Sequence, residues 1–85
     1  MCTTDYIQER AQELEASAQR KIEIIDFLVT GLLKAQTAAN EAPRAAGLLA
    51  TLLGMHAELL EQKAAALHVI EDAMALRSHT TDLKL

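Results

Sequence analysis

A single proline, Pro43, falls at the middle of an 85-residue chain, in the polar stretch Asn40-Glu41-Ala42-Pro43-Arg44 between two long alanine- and leucine-rich segments. Proline has no backbone N–H and its ring crowds the preceding turn, so it opens or ends a helix far more easily than it sits inside one. The chain is therefore predicted to be an all-α antiparallel helical hairpin. Its boundaries are expected at about 4–39 for helix one, 40–43 for the turn, 43–77 for helix two and 78–85 for a flexible tail.

Thr3, Thr4 and Asp5 are all good helix N-caps, and Asp5 with Gln8 has capping-box spacing. From there Ile7, Ala11, Leu14, Ala18, Lys21, Ile25, Leu28, Leu32, Ala35 and Ala39 follow the alternating four-and-three spacing of a heptad seam, with Lys21 the one polar member. The lysine stem can lie along such a seam with its ammonium in water. In helix two the corresponding row is Leu48, Leu52, Met55, Leu59, Gln62, Ala66, Val69, Ala73 and Leu76, with a second row of Leu49, Leu53, Leu60, Leu67, Ile70 and Met74 beside it. Arg77 closes the helix with a charge that suits the negative end of its dipole. Gly31 and Gly54 lie inside the helices, and a break at Gly54 would make a three-helix chain.

Two apolar rows side by side cover about twice what one helical neighbour buries. Meanwhile the hydrophobic fraction of 51% comes mostly from alanine and leucine, and Tyr6 and Phe27 are the only aromatic residues. A fully buried large side chain contributes roughly 1.5–3 kcal/mol and ordering costs about 1.5 kcal/mol per residue, so two such helices alone come out near zero. The expected remedy is a homodimer that completes a four-helix bundle. The expected protein interface is Ile22, Ile25, Leu28, Val29 and Leu32 on helix one, with Leu48, Leu49, Leu52, Leu53, Met55, Leu59 and Leu60 on helix two.

Charge and motif content exclude several functions. A net charge of −4 with eight scattered basic residues disfavours binding to nucleic acid, which needs a concentrated basic face. The single cysteine, Cys2, cannot form an internal disulfide and fits a reducing cytosol. The longest strongly apolar stretch, residues 47–55, falls far short of the roughly 20 residues that cross a bilayer, and the N-terminus carries no signal-peptide pattern. No metal site is expected: His56 has leucines three and four residues away on both sides and reads as an interface histidine. His68 with Glu71 and Asp72 reads as an exposed ion pair. With no activated nucleophile, phosphate loop or cofactor motif, the chain is expected to be no enzyme, with no cofactor and no small-molecule substrate.

In helix length and pairing the sequence resembles small helical-hairpin chaperones of type III secretion and antiactivators that sequester quorum-sensing transcription factors. The resemblance rests on architecture alone and carries over no functional residue. The expectation is a small cytoplasmic, non-enzymatic interaction module. As a regulator or chaperone-like protein it would cover an apolar surface of a protein partner, its acidic flanks favouring a basic one. The first alternative is a structural, self-assembling scaffold whose only partner is itself. The second is an RNA-binding bundle resembling the plasmid copy-number protein Rop, for which the acidic charge is poorly suited.

Overall fold

Helix α1 spans Thr3–Asn40 and helix α2 spans Ala46–Lys84, joined through a 3-10 turn at Pro43–Ala45. The computed structural model describes residues 3–84; the expectation for Cys2 lies outside them. Asp5 sits in the first turn of α1, where a carboxylate suits the positive end of the helix dipole. At the other end Glu41 donates its N–H to the carbonyls of Thr37 and Ala38, both at 3.3 Å, and Ala42 donates to Ala39 at 3.2 Å. These bonds close the last turn. Ala42 is extended, with φ −116° and ψ 101°, as steric pressure from the following proline ring requires. Pro43 then opens the second helical segment, where its missing N–H costs nothing.

Gly31, Gly47 and Gly54 all lie in unbroken helix, so α2 is one rod and the three-helix alternative is excluded. A Cβ built on Gly31 or Gly54 meets nothing within 4 Å, so neither marks a close crossing within the hairpin. Gly54→Ala is therefore expected to stabilise the fold by about 0.5–1 kcal/mol, read as a rise in denaturation midpoint, because it removes only the backbone entropy cost of glycine.

The helix boundary expected at about residue 77 is corrected. Helix α2 continues through Lys84, and Thr80 is 1% exposed, the most buried polar side chain of the hairpin. Thr80 donates its hydroxyl to the Leu76 carbonyl, and Thr81 donates to the Arg77 carbonyl at 2.9 Å while accepting a hydrogen bond from the Gln8 amide at 3.1 Å. Threonines satisfied in this way extend a seam without any apolar residue to advertise it. Thr80→Asp is expected to unravel the last two turns, seen as fast amide exchange from Arg77 onward with the rest of α2 still protected. Leu85 lies outside the described residues.

The two helices meet along a seam that differs from the predicted one by a rotation. In α1 the buried or half-buried positions include Ala11, Ala18, Ile25, Leu32 and Ala39, as expected, but alternate with Glu15, Ile22, Val29 and Gln36. In α2 they include Leu52, Leu59, Ala66 and Ala73, alternating with Leu49, His56, Lys63, Ile70 and Arg77. Seven of the ten predicted positions on α1 and four of the nine on α2 are in place. The rest, Leu14, Lys21 and Leu28 on α1 and Leu48, Met55, Gln62, Val69 and Leu76 on α2, stand one residue earlier and are exposed. At 3.6 residues per turn this turns each contact stripe by about 50°.

The physical reason is polar. The shifted positions carry the side-chain links between the helices: Arg77 to Glu15 at 2.6 Å, Lys63 to Asp26 at 2.7 Å and Gln36 to His56 at 3.2 Å. Small side chains let the rods close: the buried core is Ala11, Ala18, Ile22, Ile25, Ala39, Ala66 and Ala73, with no leucine among the described buried residues.

The product is thin. Its extents are 64 × 14 × 13 Å and its radius of gyration is 19.0 Å, against about 12 Å for a compact domain of this length. It exposes 6264 Å², while a compact monomer of 9.3 kDa exposes about 5,000 Å². The excess, on the order of 1,300 Å², is larger than the roughly 800 Å² each partner contributes to a standard interface.

Candidate protein-docking surfaces

Turning the seam has a consequence for the displaced residues. Positions three after Ala11, Ala18 and Ile25 and three after Leu52, Leu59 and Ala66 fall on the same side of the hairpin, because the helices run antiparallel and their rotations mirror each other. That side is open and apolar. Two adjoining troughs run along it, sharing Leu28, Leu59 and Gln62. Leu14, Ile24 and Val69 line the first, and Phe27, Gly31 and Met55 line the second. Leu28 is 46% exposed and Met55 47%, whereas Ile24 and Phe27 on the rim reach 60% and 78%.

The opposite side is built differently. The Arg77–Glu15, Lys63–Asp26 and Gln8–Thr81 links bolt the helices there, and among the described residues no side-chain hydrogen bond or ion pair joins the helices on the open side. A second apolar row, Leu53, Leu60, Leu67 and Met74, stands exposed on α2 along this bolted side, facing Gln12, Gln19 and Asp26 of α1 across the seam.

The expected interface residues are thus divided among three surfaces. Ile22 and Ile25 are buried in the hairpin seam, and Val29, Leu32, Leu49, Leu52 and Leu59 are half-buried in it. Leu28, Leu48 and Met55 belong to the open face, whereas Leu53 and Leu60 belong to the bolted side. The open face also includes Leu14, Ile24, Phe27, Val69 and Leu76, which the expected set omits. Leu14, Val69 and Leu76 were marked by heptad spacing. Ile24 was marked by lying four residues before Leu28, and Phe27 only by lying one residue before it.

Charge is distributed unevenly around the open face. Arg20, Lys21 and Lys34 mark its α1 edge, and Glu58, Glu61 and Asp72 its α2 edge; all six are exposed and none has an ion-pair partner among the described residues. By contrast, Lys63 and Arg77 on the bolted side are both paired.

Volumes of about 570 and 480 Å³ put the troughs in the size range of small-molecule sites, but both are open along their length and present mainly apolar surface. No buried side-chain nitrogen or oxygen among the described residues lacks a partner. No group of three His, Cys, Asp or Glu among them is placed to hold a metal ion. His56 accepts from the Gln36 amide in the seam, and His68 pairs with Glu71 at 3.5 Å on the surface. Neither described helix is long and apolar enough to cross a membrane. No family model, curated protein or solved structure matches the chain.

Proposed function

We propose that this chain is a non-enzymatic protein-interaction module that works by covering apolar surface. It pairs with a second copy through the open face to make a four-helix bundle, and presents the remaining α2 row, Leu53, Leu60, Leu67 and Met74, to a helix of another protein. The observation that carries this reading is the double-sided character of α2: Met55 and Val69 are exposed on one side of its seam, and Leu53, Leu60, Leu67 and Met74 on the other. One neighbouring helix covers about half of that arc. A regulator or chaperone-like protein that masks a partner's apolar helix has this anatomy.

Charge selects the class of partner. Lys63 and Arg77, the basic residues along the bolted side, are neutralised by Asp26 and Glu15, while Glu9 and Glu23 stand exposed one turn before Gln12 and Asp26. A basic amphipathic helix meets both requirements, its apolar stripe on the leucine row and its cations on the carboxylates.

Capture from extracts of the source cell tests the reading when the wild-type chain is compared with Leu60→Asp. A basic protein retained by the wild type and lost from the variant is expected. Retention of nothing except further copies of the chain would favour the self-assembling scaffold, and retention of RNA at low salt would favour the nucleic-acid-binding bundle.

A further inference from the structure

We infer that the second copy docks on the open face in one orientation, with its two-fold axis parallel to the long axis of the hairpin, so that α1 of each copy lies on α2 of the other. This rests on the proposed self-association and goes beyond it by fixing which helices meet. Two hairpins laid face to face have two symmetric options that keep neighbouring helices antiparallel. An axis along the hairpin stacks α1 on α2 of the second copy; an axis across it stacks α1 on α1 and α2 on α2.

Register decides what each option brings together. The links Gln36–His56, Asp26–Lys63 and Glu15–Arg77 fix the levels of the two helices, and interpolating between them sets Lys34 level with Glu58, Ile24 level with Ala65, and Arg20 between His68 and Asp72. Lys34 and Glu58 line the same trough from opposite rims, as do Ile24 and Ala65 in the adjoining one. An axis along the hairpin preserves these levels. Lys34 of one copy then meets Glu58 of the other, twice per dimer, and Arg20 and Lys21 meet Asp72 of the second copy.

Shape agrees with charge. The prominent Ile24 and Phe27 of the α1 rim come down on the α2 rim of the second copy near Ala65, whose small side chain leaves room. An axis across the hairpin does the opposite, setting Arg20 and Lys21 near the middle of α1 against their own counterparts and leaving the carboxylates of both α2 helices together. Like charges juxtaposed at an interface are a strong selector against that arrangement. Of the six rim charges unpaired within one hairpin, all but Glu61 are thus paired by its twin.

Disulfide trapping distinguishes the orientations. In a Cys2→Ser background, chains carrying Lys34→Cys are mixed with chains carrying Glu58→Cys, unfolded and refolded together, and oxidised. A covalent dimer joining positions 34 and 58 is expected from the mixture, and none from either variant alone. Arg20→Cys alone is expected to stay uncrosslinked; rapid disulfide formation there would place α1 on α1 and overturn the inference. Because all three sites are exposed, the hairpin itself is undisturbed by the changes. As a second readout, Lys34→Glu is expected to weaken dimerisation by roughly tenfold, and adding Glu58→Lys to restore it. A dimer that neither crosslinks between 34 and 58 nor responds to the charge swap would remove this orientation and leave the proposed self-association standing. A well-ordered monomer would remove both.

Discussion

Leu28→Asp is expected to leave the chain monomeric at concentrations where the proposed pairing makes the wild type a dimer. Leu28 lines both troughs of the open face and is partly covered by its own hairpin, so a second copy docked there would complete its burial. An aspartate there puts a carboxylate with no partner into the middle of the bundle, and symmetry does so twice. At several kcal/mol per uncompensated charge, the dissociation constant rises by about 1,000-fold or more. Sedimentation velocity over a concentration series reads the change directly. A variant that dimerises within tenfold of the wild type would mean that the open face is not the self-contact.

Ile22→Asp is expected to do something different and more severe. Ile22 is buried in the hairpin seam with Ala18, Ala66 and Ile70, a cluster where large aliphatic and small side chains interlock. A charge placed there has no cation across the seam to meet it, because Lys63 is already paired with Asp26. The cost, on the order of 4 kcal/mol or more, exceeds what so thin a core holds in reserve. Far-UV circular dichroism is expected to show loss of helix at every concentration tested. Leu28→Asp, by contrast, is expected to regain its helix in a stabilising osmolyte while remaining monomeric, since its hairpin seam is intact. If the two variants were indistinguishable, the separation of hairpin seam from open face would fail.

The hairpin was legible in the residues themselves. Pro43, flanked by Asn40 and Glu41, announced the turn, and the heptad spacing on either side announced two long helices. The orientation of those helices was less so. A row of Leu14, Leu28, Met55, Val69 and Leu76 looks like the seam of a pair, yet in the hairpin these residues flank it, while Glu15, Lys63 and Arg77 sit within it. Apolar periodicity marks what must eventually be buried and says nothing of the order in which neighbours do so. In a bundle of four, each helix has two neighbours, and the predicted row points between them, toward the centre.

The C-terminal turns were illegible for a related reason. Ser78, His79, Thr80 and Thr81 carry no apolar signal, but Thr80 continues the Ala73–Arg77 seam with its hydroxyl satisfied on the Leu76 carbonyl. The charge pattern was hidden as well. Arg20, Lys21 and Lys34 look scattered along the chain until the helix gathers them on one edge of the open face, opposite Glu58, Glu61 and Asp72.

Concentration is the variable that most directly tests whether this hairpin is half of something larger. Circular dichroism melts combined with sedimentation equilibrium, from roughly 1 to 100 µM, are expected to show a dimer whose melting temperature and helix content fall on dilution, as mass action demands of a fold that requires company. A monomer at every concentration, fully helical and melting cooperatively at one fixed temperature, would show that two rods with an alanine seam suffice on their own, contradicting the account.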